Sequence, residues 1–143
     1  MRNCITGLMI EDHERLIGLF DDFKKTEKKD LKKANELFAR FDKELRNHFI
    51  AEEKIIISTF RKNNNTLPIV SVLKSEHIKI RSILEKILAS IRENSKINTF
   101  DLFTVLTRHQ NIEERLFYPE LDEMLSEKEK NAVYEKIKNT QKK

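Results

Sequence analysis

A chain of 143 residues is long enough for one hydrophobic core and little more. Two glycines and two prolines beside 38% apolar and 36% charged residues exclude a hairpin-rich or sandwich fold and favour amphipathic helices. The net charge of +4 is spread along the chain rather than gathered into one basic face with interleaved aromatics, so no nucleic-acid partner is expected.

The N-terminal segment from Met1 to Ile10 lacks the apolar run of a signal peptide, and no stretch approaches the length of a membrane span. No membrane partner is expected. Cys4 is the single cysteine and cannot form an internal disulfide, which points to a reducing, cytoplasmic setting. It reads as a small packing residue rather than a ligand. A first helix is predicted from about Leu8 to Lys25, because Met9, Leu16, Ile17, Phe20 and Phe23 recur at helical spacing. Asp30 is placed to cap a second helix from about Leu31 to Lys62, with Leu37, Phe41, Leu45, Ile55 and Phe60 on one broad face.

Asn63-Asn64-Asn65-Thr66 breaks the pattern, and Pro68 then sits in the first turn of a third helix, where its missing N–H does no harm. That helix carries Val72, Leu73, Ile80, Leu84, Ile87 and Ile91 and ends near Arg92. After a polar loop at Asn94 to Asn98, a fourth helix spans about Thr99 to Leu125 with Leu102, Leu106, Leu116 and Leu121. Ser126 and Glu129 have capping-box spacing and open a last helix ending near Lys138. Its Val133, Tyr134 and Ile137 either cap the bundle or form a homodimer contact. Short connections make neighbouring helices antiparallel, so the expected fold is all-α: an up-down-up-down four-helix bundle with a short additional C-terminal helix.

The chain's four histidines, His13, His48, His77 and His109, fall one on each long helix. Two of them begin a His-x-x-x-Glu motif, His48 with Glu52 and His109 with Glu113, which puts nitrogen and carboxylate on one helix face one turn apart. A stripe at residues 41, 45, 48, 52, 55 and 59 faces inward on the second helix, and one at 102, 106, 109, 113 and 116 on the fourth. His13 lies in line with Met9, Leu16, Ile17 and Phe20, and His77 with Leu73, Ile80 and Leu84. One inward histidine is usually a satisfied core group, and one His-x-x-x-Glu pair also stabilises an exposed helix. Four inward histidines with two motif copies are different. Buried without partners they would cost several kcal/mol for each unpaired charge, and a pair of cations relieves that cost. Nitrogen and oxygen donors with open positions suit iron, with manganese and zinc as alternatives.

Glu53 and Glu114 point about 100° away around their helices and read as surface or supporting groups rather than ligands. Tyr118, nine residues after His109 and nearly opposite in angle, reads as packing. The chain also repeats itself: the segment around Asp12-His13 resembles that around Glu76-His77, and His48-Phe49-Ile50-Ala51-Glu52-Glu53 resembles His109-Gln110-Asn111-Ile112-Glu113-Glu114. Two diverged copies of a helix pair would build a pseudo-twofold site.

These segments, together with the Phe117-Tyr118-Pro119 that follows, resemble the hemerythrin-like cation-binding family over about Leu8 to Leu125. The resemblance implies one such domain over 1–143 and two iron ions in a carboxylate- and oxo-bridged non-haem centre. His13, His48, His77 and His109 would be terminal ligands, and Glu52 and Glu113 the bridges. Oxygen-carrying members have a fifth histidine, on the third helix; the positions flanking His77 here hold Leu73 and Arg81. The four-His, two-Glu set is instead similar to the di-iron proteins linked to iron–sulfur cluster repair, whose additional cysteine-bearing N-terminal domain is not expected here.

The expected activity is binding of, or reaction with, a small diatomic or peroxide, namely O2, NO or H2O2, in oxidative or nitrosative stress. The alternative is iron donation or storage for cluster repair. Whether the chain is an enzyme stays open at this level. A ferritin-like oxidase is not expected, since the residues three before each histidine (Ile10, Leu45, Lys74 and Leu106) are not acidic.

Overall fold

The computed structural model describes residues 4–62 and 68–141, and these form helices with no strand among them. Helix α1 is Ile5–Glu27. Its first turn is held by Asp122, whose carboxylate accepts the backbone N–H groups of Ile5 at 2.9 Å and Thr6 at 3.0 Å. Cys4 is exposed at the N-cap, where its sulfur accepts from the Gly7 N–H at 3.5 Å and donates to Asp122 at 3.2 Å. It is a cap rather than the packing residue expected, and these contacts let α1 start at Ile5, before the expected Leu8.

Asp30 caps α2 as its sequence position implies, accepting from the Lys33 N–H at 3.1 Å. Helix α2 runs through Leu31–Ala51, a π-helical stretch Glu52–Ile57 and Ser58–Lys62. The break expected at Asn63 to Thr66 lies outside the described residues. Helix α3 is Pro68–Arg92, followed by Asn94 in the left-handed region (φ 55°), which asparagine tolerates at helix ends. Helix α4 comprises Phe100–Ile112, a second π-helical stretch Glu113–Phe117, and Tyr118–Met124. Ser126 and Glu129 form the reciprocal capping box, at 3.1 and 3.2 Å, ahead of α5, Glu127–Gln141.

Helices α1 to α4 pack as neighbours in a ring, α4 returning against α1. Two apolar plugs fill the bundle. One gathers Phe20, Phe23, Phe38, Phe41, Leu84 and Leu102. The other gathers Ile5, Met9, Ile56, Phe60, Leu73, Phe117 and Leu121, with Val133 and Ile137 of α5. Those two α5 residues therefore cap this chain's own core. Each of the four long helices contributes to both plugs, which fixes the up-down-up-down order.

Both inward stripes slip by one residue where the π-helical stretches begin. A π-turn closes i→i+5 bonds and holds one more residue than an α-turn, so the buried face advances by one position. On α2 the core beyond Glu52 is carried by Ile56, Ile57 and Phe60, while Ile55 and Thr59 are only half-buried. On α4 Leu116, expected in the core, is 64% exposed, and Phe117 is buried in its place. Val72 of α3 also faces outward. No helix is long and apolar enough to cross a membrane among the described residues.

Candidate metal centre

Between the two plugs the bundle is polar. His13 from α1, His48 and Glu52 from α2, His77 from α3, and His109 and Glu113 from α4 are all buried there, with both glutamates fully enclosed. The α-helical turn from His48 to Glu52 and the matching turn from His109 to Glu113 aim each pair into the same space. His77 Nε2 lies 2.8 Å from Glu52 Oε1, and His48 Nε2 lies 3.7 Å from Glu52 Oε2. His13 Nε2 and His109 Nε2 each lie 3.3 Å from Glu113 Oε1. Two donors about 2.1 Å from one ion, at right-angled or tetrahedral positions, stand roughly 3.0–3.4 Å apart, so these spacings suit shared cations.

Donor atoms from Glu52, His77, His109 and Glu113 form one group whose members all lie within 4.8 Å of one another, and those from His13, His48 and Glu113 form a second. Both groups could hold a metal ion. The chemistry of the donor set agrees. Among the described residues, six of the eight buried side-chain nitrogens and oxygens without a hydrogen-bond partner belong to this cluster. A folded core does not leave so many polar atoms uncompensated, because each costs about 1–3 kcal/mol. A pair of cations would satisfy them together.

The opposite nitrogen of every imidazole is already engaged. Asp12 holds His48 Nδ1 at 2.6 Å, Glu53 holds His77 Nδ1 at 2.6 Å, Glu76 holds His109 Nδ1 at 2.7 Å, and Glu114 holds His13 Nδ1 at 2.7 Å. Each carboxylate comes from the helix before its histidine around the ring, so α1 grips α2, α2 grips α3, α3 grips α4, and α4 grips α1. A proton on Nδ1 leaves Nε2 with its lone pair directed at the centre and raises its basicity, the usual support of a metal-binding imidazole. Glu53 and Glu114 thus do leave the inward stripe, as their angle implies, and reach the neighbouring helix instead of solvent. Asp12 and Glu76, to which the sequence reading gave no role, do the same. An acid beside each His or inward Glu was the available signal.

Phe49 stacks on His77 with centroids 4.1 Å apart and meets His109 edge-on at 5.8 Å. Arg81 lies 5.5 Å from the Phe49 ring and bonds Glu53 at 3.1 Å, which braces that corner.

Tyr118 packs in the core as expected, but toward the centre rather than away from it. It is fully buried, its hydroxyl donates to Glu52, and it stands 3.4 Å from His13 Nε2. The π-turn brings it there, because five residues after Glu113 is the same face in i→i+5 geometry. Burial, reinforced by the charges of Glu113 and Glu52, holds its pKa well above 10, so it remains a hydrogen-bond donor.

The charges of the cluster are strongly coupled. Burial opposes charge on His13, but Glu113 and Glu114 outweigh it and raise its pKa to about 9. Burial is likewise overcome on His109, mainly by Glu113, and its pKa rises to about 9. Burial and the adjacent Glu113 push Glu52 upward, whereas the neighbouring Glu52, His109 and His13 overcome burial and hold Glu113 well below the usual carboxylate range. Burial would raise Asp12, yet the hydrogen bonds and charges of His48 and Arg15 lower it to about 2.

The family model of the hemerythrin HHE cation binding domain matches residues 4–121, most of the chain and all six of these side chains. No curated protein and no solved structure matches the chain. With helices, inward histidines and buried glutamates in this order, the chain belongs to the hemerythrin HHE cation-binding family and is a hemerythrin-like metal-binding domain.

Proposed function

We propose that His13, His48, His77, His109, Glu52 and Glu113 would hold two iron ions, and that the protein binds or reacts with a small oxidant: O2, NO or H2O2. The whole chain, 1–143, acts as one such domain. The observation that carries this reading is the set of orphaned inward atoms on α2, α3 and α4, backed by a carboxylate on every imidazole. Imidazole and carboxylate donors fit iron, which when bound supplies a Lewis-acidic, redox-active centre for a small ligand.

The chain's own residues do the rest. Asp12, Glu53, Glu76 and Glu114 fix each imidazole's tautomer and direction. The two apolar plugs keep bulk water from both ends of the centre, which strengthens the electrostatic contacts inside it. Tyr118 holds Glu52 by its hydroxyl and can offer that proton near His13. Full burial of Glu52, His77, His109 and Glu113 favours a retained, reacting centre over a rapidly exchanging iron donor.

The test is an absorption spectrum of anaerobically purified protein before and after O2, NO or H2O2. A charge-transfer band that responds to one of the three is expected. An iron-loaded protein whose spectrum ignores all three, but which surrenders its iron to an apo-cluster acceptor, supports donation instead.

A further inference from the structure

Among the described residues, a groove and a cavity approach the centre from different sides, and their exposed edges differ in charge. Between α1 and α4 a shallow groove is lined by Glu14, Asp21 and Glu114 beside His13 and Gly18. On the other side, a cavity of about 240 Å³ lies between α1, α2 and α5. Its inner wall includes Met9, Ile56, His48 and Glu52. Its rim carries the exposed Arg15, Arg40 and Lys43, and Ile137 and Thr140 of α5 close the outer side.

Glu44, the acid at that rim, is bound by both Arg15 and Arg40, the latter at 2.8 Å. Arg15 is also tied to Asp12 at 2.8 Å, and Asp12 to His48. Lys43 makes no ion pair among the described residues. The rim is therefore net positive, and the residues behind it lead to the Glu52 and His48 side chains.

We infer that the cavity between α1, α2 and α5 is the ligand port of the metal centre, that its basic rim draws in small anions, and that α5 is its outer wall. The inference rests on the metal-binding reading above and adds an entry route and a second ligand class, small anions, beside the neutral O2, NO and H2O2. A cavity of this volume has room for several waters at about 30 Å³ each, so it admits an anion of a few heavy atoms. Field lines focused by a basic rim raise the local concentration of anions and their on-rate. The acid-lined groove repels the same ions. Helix α5 lies beyond the family-matched residues.

The probe is azide, followed by stopped-flow absorption of the iron-loaded protein. Four variants outside the proposed ligand set are compared: Ile137→Trp and Thr140→Trp to fill the cavity, Arg40→Glu with Lys43→Glu to reverse the rim, and Gly18→Trp to fill the acidic groove. Ile137 is buried and its replacement risks the fold, whereas Thr140 sits at the edge. Gly18 has open space where a side chain would project.

Iron content and resting spectrum should stay at the wild-type level in every variant that folds. Azide association should slow by about ten-fold or more with either cavity filler. The reversed rim should slow it by about ten-fold at low salt, and the difference should vanish near about 0.5 M salt. Gly18→Trp should leave the rate alone. Unchanged rates with Thr140→Trp and the reversed rim, or a slowing with Gly18→Trp, overturns the port. Wild-type protein that holds no iron overturns the underlying metal reading instead, so the two failures are distinct.

Discussion

Asp12, Glu53, Glu76 and Glu114 act through the histidines they hold, so their loss should appear as weaker metal binding rather than a lost fold. Asp12→Ala and Glu76→Ala are each expected to lower metal affinity by about 10–100-fold, read by chelator competition. Asp12→Asn, which keeps an acceptor toward His48, should recover part of that loss. Equal affinity in all three variants would remove these carboxylates from the account. The raised pKa values of His13 and His109 carry a second residue-scale consequence. Their folded values, about 9, exceed the ordinary 6.5, so in metal-free protein they contribute stability that is fully present below about 6.5 and lost as pH rises through about 9. Asp12 acts oppositely: its contribution is present above 3.8 and lost as pH falls through about 2. Urea midpoints of the metal-free protein should therefore be lower at about pH 9.5 than at about pH 6. A midpoint that climbs over that interval contradicts the charge assignment.

The two π-helical stretches begin at Glu52 and Glu113 and mark where the sequence ceases to be legible by simple periodicity. Before them the pattern reads correctly: Phe41, Leu45 and His48 on α2, and Leu102, Leu106 and His109 on α4, are all buried as their spacing implies. A fixed rotation of about 100° per residue then assigns Ile55 and Leu116 to the core and turns Tyr118 away. The wider turn instead buries Ile56, Phe117 and Tyr118. Nothing in residue type announces a π-turn, so a constant rotation per residue misplaces these positions. The ring of carboxylates was hidden for another reason: a side chain leaving its own stripe has a partner only once the order of helices is known. The register makes a sharp stability prediction. Phe117→Ala should cost about 3–5 kcal/mol, while Leu116→Ala stays within roughly 0.5 kcal/mol in urea unfolding. An uninterrupted α-helix predicts the reverse ranking.

At the scale of the molecule, the bundle concentrates its polar groups in one layer between two apolar plugs, and four helices each supply a histidine to it. Such a core is consistent only if something satisfies the inward atoms, so a bound metal is expected to stabilise the fold. Removing the metal should leave a helical but less stable chain, with a melting temperature lower by about 10 °C or more. A melting curve indifferent to chelation would mean that the layer is satisfied without an ion. The most direct measurement is the metal content of protein purified under anaerobic conditions, by elemental analysis against chain concentration, for the wild type and for His109→Ala and Glu113→Ala. A di-iron centre held by these residues predicts about two iron ions per chain in the wild type and a clear fall in both variants. Less than about one metal ion per chain in a folded wild type, or full occupancy in both variants, would contradict it.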